Sequence, residues 1–90
     1  MNKVHEQIAL RIHNEVKAQN LWLKEQDERI LFAIMNNRGN LRQLVQAKNS
    51  GVIALQAIKN LLVEYTGFRY EQFRFDDENK TAEIIDNLPF

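Results

Sequence analysis

The segment Val52–Tyr65, VIALQAIKNLLVEY, predicts a helix around which the chain is organised, because its apolar residues recur at helical spacing. At about 100° per residue, most of them fall in one wide arc, and the polar residues lie on the opposite side. A wide apolar arc contacts more than one neighbour, so we expect this helix to be the central one. The residues of the arc are Ala54, Leu55, Ala57, Ile58, Leu61, Leu62 and Tyr65.

The residues that flank this segment are typical of helix ends. Asn49 or Ser50 can accept a hydrogen bond from a free backbone N–H at the start of the helix. Gly67 can take the left-handed conformation at its end, which costs glycine little. The run Asn49-Ser50-Gly51 predicts a tight turn, with a short separate helix over Leu41–Lys48 before it. Three apolar residues outside the arc contact either another part of the chain or a partner: Val52, Ile53 and Val63.

Composition places the chain among small folded domains. Ninety residues bury a modest core, and chains of this size often depend on dimerisation. The absence of cysteine excludes disulfides, thiolate metal sites and cysteine nucleophiles, and it favours the cytoplasm. No run is apolar enough to span a bilayer, and the N-terminus has no signal-peptide core. We therefore expect a cytoplasmic homodimer that does not associate with membranes.

The sequence predicts a single domain over residues 1–90. It would consist of an N-terminal helix at 1–20, a helical core at 21–67, a hairpin at 68–86 and a tail at 87–90. In the first helix, apolar residues recur every four positions. We expect this stripe, which would also serve a bare assembly subunit, to pack partly on a second copy. The stripe consists of Val4, Ile8, Ile12 and Val16.

The boundary between the first two helical segments is open. The apolar phase runs on to Ile34 with no Gly or Pro before Gly39, so one helix of more than thirty residues is possible. Because typical helices have roughly 8–20 residues, we prefer a break near Asn20 or just before Asp27. The run Ile30–Met35 is almost entirely apolar and predicts core. Gly39 and Asn40 suit the end of one helix and the cap of the next.

Residues that carry chemistry form no recognisable catalytic or metal-binding motif. His5 and His13 stand eight residues apart, without a cysteine or a carboxylate at ligand spacing, which favours half-buried helical histidines over metal ligands. The only serine, Ser50, lies in the expected turn. The acidic run at 76–78 lacks the glycine and the spaced glutamate of an EF-hand loop. We therefore expect no enzyme, no metal and no cofactor.

After Gly67 the pattern changes to that of a β-hairpin. Phe73 and Phe75 alternate with Arg74, as in a half-buried strand. The polar run at 76–80 is typical of a turn, and apolar residues resume at 81–86. A short helix over Thr81–Asn87 is the alternative. The apolar ends of the tail at 88–90 can pack against the body of the domain.

The order from Glu28 onward resembles a winged helix-turn-helix. Ile30–Asn37, Leu41–Lys48 and Ser50–Tyr65 would be its three helices, and Phe68–Asp86 would be its wing. Ala47, Gly51, Val52 and Ala57 are similar to the small, turn and apolar positions of that motif, whereas Gln46 and Asn60 depart from it. The resemblance implies an α+β fold of three to four helices followed by a C-terminal β-hairpin. It also implies a DNA-binding transcriptional regulator.

Charge supports duplex DNA as a partner of the same segment. Residues 30–63 carry four basic side chains and no acidic one, and residues 64–90 carry a net charge of −4. Cations and amides in the helical segment can reach phosphates or base edges. The candidate nucleic-acid-binding residues are Arg38, Arg42, Lys48, Gln56 and Lys59.

The hairpin carries the alternative hypothesis. Its acidic turn would repel a phosphate backbone, and its aromatic rings favour contact with protein. A basic protein partner could dock there, as on a small inhibitor or immunity-type module. The candidate partner-binding residues are Tyr70, Asp76, Asp77 and Glu78.

Overall fold

The computed structural model describes residues 3–37 and 39–85 as two long helices and a β-hairpin. Helix α1 spans Lys3–Met35, and helix α2 spans Leu41–Thr66. A short 3₁₀ turn at Tyr70–Gln72 leads into strands β1, Phe73–Asp76, and β2, Thr81–Ile84. The chain does combine helices with a β-hairpin. The expectation of three to four helices is wrong, because the described residues form only two α-helices, and the winged-helix order is lost with it.

Helix α1 is continuous where a break was expected. Its residues that face α2 are spaced alternately by three and four positions, which is the spacing of a two-helix seam. This spacing crosses Asn20 and Asp27 without interruption. Packing against α2 along its whole length therefore stabilises α1 as a helix that is longer than usual. The buried and half-buried seam residues are Ala9, Ile12, Val16, Gln19, Leu23, Gln26, Ile30 and Ala33.

Helix α2 also runs through its expected turn at Asn49-Ser50-Gly51. Gly51 is buried in the seam, where the ring of Trp22 and the side chain of Leu23 occupy the space that a Cβ would need. The Gln19 side-chain amide donates a hydrogen bond to the Gly51 carbonyl at 2.9 Å. Glycine at this position lets the two helices approach closely and does not end a helix. The seam residues of α2 are Leu41, Leu44, Lys48, Gly51, Leu55, Ile58 and Leu62.

The two helices are joined at residues 36–40, as the sequence predicts. Asn37, just after the end of α1, takes a positive φ of 50°. Asn40 stands at the N-cap position of α2 without a capping hydrogen bond from its side chain. At the other end of α2, Gly67 has a φ of 78°, and its N–H donates to the Val63 carbonyl. The prediction that Gly67 ends the helix is confirmed.

The core lies at one end of the helical hairpin, where both helices meet the β-hairpin. We call this end proximal, and the end near residues 31–45 distal. The strands pair antiparallel with Phe73 opposite Ile84 and Phe75 opposite Ala82, so apolar side chains share the inward face. The hairpin prediction is confirmed over residues 73–84, and the helix alternative is wrong there. Residues 86–90, including the predicted tail, lie outside the described residues. The buried core residues are Ala9, Leu62, Phe73 and Ala82.

Only one side of the predicted wide arc of α2 is buried. Leu62 is fully buried, and Leu55 and Ile58 are half-buried. The remaining members of the arc are exposed, because the second neighbour that they require is not found among the described residues. These members are Ala54, Ala57, Leu61 and Tyr65.

The apolar stripe at the start of α1 packs on its own chain. Val16 is buried, and Ile8 and Ile12 pack against the core. Only Val4 remains largely exposed, at 59%. Three of the four residues are therefore packed within the chain, and contact of the stripe with a second copy stays a prediction.

We expect Leu62→Ala to lower the free energy of unfolding by about 2–5 kcal/mol, because it leaves a cavity at the junction of α1, α2 and the hairpin. Leu61→Ala is the matched control. Leu61 is the neighbouring leucine in α2 and is 41% exposed, so we expect less than about 1 kcal/mol. Chemical denaturation of both variants measures the difference. Equal losses would contradict the assignment of the buried side of α2.

We expect Gly51→Ala to destabilise the protein although alanine is the better helix former by about 1 kcal/mol. The added methyl group overlaps the Trp22 ring and lies 3.0 Å from Leu23 Cδ2. Overpacking of this kind costs about 1–3 kcal/mol. Ser50→Ala, at the adjacent exposed position of the same helix, should leave the melting temperature unchanged or slightly higher. If Gly51→Ala melts at a higher temperature than the wild type, the close approach of the helices is not required.

Candidate functional site

The β-hairpin is held against α1 by a cluster around His13, which we call the His13 lock. The Tyr70 hydroxyl lies 2.6 Å from His13 Nδ1, and His13 Nε2 lies 2.7 Å from Asp77 Oδ1. Lys17 Nζ donates to the same Asp77 oxygen at 3.1 Å. The Phe75 ring stacks on the imidazole with centroids 4.0 Å apart. The lock thus joins helix, strand and turn through residues that are far apart in sequence.

The lock shifts the pKa values of two of its members. Hydrogen bonds from His13 and then Lys17 lower the pKa of the Asp77 carboxyl below its ordinary value. Burial raises the pKa of the Tyr70 hydroxyl, and the negative charges of Asp77 and Glu71 add to that effect. Tyr70 therefore keeps its proton and can donate it to His13 Nδ1. His13 Nε2–H is then left to donate to Asp77.

A carboxylate, a histidine and a hydroxyl in series also describe an activated nucleophile. That chemistry needs a hydroxyl that loses its proton readily, and burial of Tyr70 acts in the opposite direction. The Phe75 ring covers the imidazole face of His13 as well. The arrangement is therefore suited to fixing the hairpin in place.

The residues of the alternative hypothesis are brought together at the hairpin, but largely for internal contacts. The Asp76 carboxylate accepts hydrogen bonds from the backbone N–H groups of Glu78 and Asn79, each at 3.1 Å. The hydrogen bonds from Asn79 contribute most to lowering the pKa of Asp76. Tyr70 and Asp77 belong to the lock, and Glu78 is exposed. A basic partner protein stays a prediction that these contacts do not test.

The candidate nucleic-acid-binding residues have separate environments. Lys48 forms an ion pair with Asp27 of α1, and Lys59 Nζ lies 5.2 Å from the centre of the Tyr70 ring. Gln56 donates to Asn60 at 3.0 Å. Arg42 is exposed, and Arg38 lies outside the described residues. Duplex DNA binding stays a prediction, and three of its candidate side chains, those of Lys48, Gln56 and Lys59, make contacts within the chain.

The stripe of α1 that bears the lock continues to the distal end. Residues seven apart lie on one side of a helix in a two-helix seam. Asn20, Asp27 and Ile34 follow His13 by seven, fourteen and twenty-one residues. Leu31 follows Leu10 by twenty-one residues and therefore lies on the same side of α1 as Leu10. The β-hairpin covers the proximal part of this stripe, where Leu10 packs against the core. Leu31 and Ile34 are exposed at its distal part, by 59% and 54%.

Helix α2 contributes to the same side. Lys59 contacts the hairpin through Tyr70, and Val52 and Val45 stand seven and fourteen residues before it. Val45 is 39% exposed and Val52 is 49% exposed. We define the distal apolar face as Leu31, Ile34, Val45 and Val52. Met35 and Ile53 stand next to it in sequence, and both are more than 70% exposed.

The opposite side of the distal end carries a groove of about 700 Å³. Phe32, Ala33 and Leu44 supply its apolar wall. Glu25, Glu28 and Arg29 supply charge at its edge. Apolar residues therefore surround the distal end of α1 on both sides. The prediction that Ile30–Met35 is core is wrong for the exposed residues Leu31, Phe32, Ile34 and Met35.

Sequence reasoning missed the distal apolar face, although two signals indicated it. The run ILFAIM at 30–35 is apolar around the whole circumference of a helix. Such a helix requires neighbours on every side. The second signal is the position of Val52 and Ile53 outside the apolar arc, which the sequence assigns either to the chain or to a partner. Both are exposed in the structure.

Among residues 3–37 and 39–85, no three His, Cys, Asp or Glu side chains converge closely enough to hold a metal ion. In the same ranges, neither helix combines the length and the apolar character needed to cross a membrane. His5 and His13 are half-buried on α1, as predicted.

No protein-family model, curated protein or solved structure matches the chain.

We expect Asp77→Asn to lower the melting temperature at pH 6 and to reduce the loss of stability in acid. The native pKa of Asp77 lies below its ordinary value of 3.8. Its contribution to stability is therefore present above that value and is lost as the pH falls through the lower native pKa. The difference from the wild type should be largest at pH 6 and should shrink towards pH 2. Thermal melts at the two pH values measure it.

Glu78→Gln is the control for this experiment, because Glu78 is an acidic residue of the same turn whose side chain is not part of the His13 lock. We expect its difference from the wild type to be small at both pH values. A difference for Asp77→Asn that stays constant down to pH 2 would show that the Asp77 carboxylate does not stabilise the fold through its charge.

Proposed function

We propose that this chain is a small non-enzymatic protein-binding module that contacts its partner with the distal apolar face. The observation that supports the proposal is the exposure of four aliphatic side chains, by 39% to 59%, on one side of the helical hairpin. Large contiguous apolar patches on soluble monomers mark interaction sites. We also propose that the module works in the cytoplasm, for which a chain without cysteine is suited.

The difference between the covered proximal end and the exposed distal end supports this assignment. At the proximal end, the β-hairpin covers the helices and fixes them through the His13 lock. At the distal end, the same stripes of α1 and α2 continue as exposed Leu31, Ile34, Val45 and Val52. A rigid helical pair that presents preformed apolar ridges loses little conformational entropy on binding. The distal apolar face therefore has the properties of a docking surface.

Two other functions have weaker support. DNA binding depended on a helix-turn-helix, and residues 41–66 form one helix instead. Capture of a basic partner by the hairpin depended on available aromatic rings, and those of Tyr70 and Phe75 stack near His13.

Site-specific photo-crosslinking in the producing cells tests the proposal. A benzophenone side chain at position 34, in place of Ile34, should give discrete protein adducts. Each adduct is identified by mass spectrometry and then reproduced with purified proteins. The matched control is the same side chain at Leu21, a residue of α1 that is 60% exposed but lies off the distal apolar face. Adducts at Ile34 should disappear when Val52→Lys is added. Equal adduct yields at both positions, or none at Ile34, would overturn the proposal.

A further inference from the structure

We infer that the partner of the distal apolar face is a second copy of this chain, so that two helical hairpins form a four-helix bundle at their distal ends. This inference rests on the proposed function and names the partner for the same surface. Three observations carry it: the exposed area of the chain, the apolar pattern of its helices and the distribution of charge around the face.

The exposed area is larger than a compact monomer would show. The chain of 10.6 kDa exposes 6890 Å². A compact monomer of that mass exposes about 5,500 Å². A standard interface buries about 800 Å² on each partner. The surplus of about 1,400 Å² is therefore larger than one side of a standard interface.

The apolar pattern requires more neighbours than the chain itself supplies. A helix that packs against one partner needs only the seam positions, whereas a helix in a bundle carries an additional apolar stripe beside the seam. Leu31 and Ile34 form such a stripe beside the seam residue Ile30, and Val45 and Val52 form one on α2. The stripes are exposed only at the distal end, because the β-hairpin covers the proximal part. The expected contact is thus confined to the distal half of the hairpin.

The charges around the face allow contact with a copy of the same chain. Asp27 of α1 stands beside the face, but it already forms an ion pair with Lys48 of α2 in the same chain, so these two charges do not select a partner of opposite charge. A twofold axis can therefore set α1 of one copy against α2 of the other without an unpaired Asp27 or Lys48 in the contact. Between Val45 and Val52 on α2, the outward residue Asn49 is uncharged. The formal net charge of zero removes any long-range repulsion between two copies.

Sedimentation equilibrium of the purified chain, from micromolar to hundreds of micromolar, tests the inference. We expect the wild type to be a dimer and Leu31→Glu to be monomeric at tens of micromolar. Each dimer of that variant would bury two unpaired carboxylates in an apolar contact, which should raise the dissociation constant by at least about a hundredfold. Leu21→Glu is the matched control, with the same substitution at a leucine of α1 of nearly equal exposure. It should remain a dimer.

Val52→Lys repeats the test from α2, so that the result does not depend on one variant. We expect it to be monomeric with an unchanged helical circular dichroism spectrum at low concentration. A wild-type monomer at hundreds of micromolar would overturn the inference, as would dimers that survive both Leu31→Glu and Val52→Lys. If the wild type is monomeric but Ile34 still crosslinks specifically to another protein, the inference fails and the proposed function stands.

Discussion

The close approach of α1 and α2 at Gly51 sets how the two helices pack against each other. Without a Cβ at this position, the Trp22 ring and the Leu23 side chain pack directly on the backbone of α2. The alternating spacing of three and four residues then holds the two helices together from Ala9 to Ala33 of α1. Because that spacing is unbroken, each helix keeps the same side towards the other and presents continuous stripes on either side of the seam.

Those stripes meet different environments at the two ends of the molecule. The proximal stripe is covered by the β-hairpin, whose aromatic rings and acidic turn are matched to His13 and Lys17. The distal stripe carries aliphatic side chains of similar size but no covering element among the described residues. Such a fold is covered at one end by its own β-hairpin, whereas its other end would be covered by the partner that we propose. The asymmetry connects the small core around Leu62 with the proposed role of the distal apolar face.

Short sequence patterns correctly predicted the elements that depend mainly on neighbouring residues in the chain. The alternation of Phe73, Arg74 and Phe75 identified the β-hairpin, and Gly67 ended α2 through its left-handed backbone. Asn49-Ser50-Gly51 was misinterpreted, because the helix cost of these residues is about 1–2 kcal/mol in total and packing against Trp22 outweighs it. The run Ile30–Met35 was also misinterpreted, since an apolar pattern shows that residues need burial but not which molecule buries them. The winged-helix resemblance failed at these same positions.

The segment charges of the sequence have a structural explanation that does not require a polyanion. Helix α2 lacks acidic residues in its first twenty-three positions, but the chain folds back so that Lys48 meets Asp27 of α1. The acidic turn folds back in the same way and places Asp77 beside Lys17 and His13. A sum of charges along the sequence therefore treats these groups as separate basic and acidic patches, although they pair with each other in the folded chain. Arg42 is one cation outside these contacts, and its side chain is exposed. It stands beside the distal apolar face. A charge at the rim of the proposed interface would select the orientation of the partner more than it would add affinity.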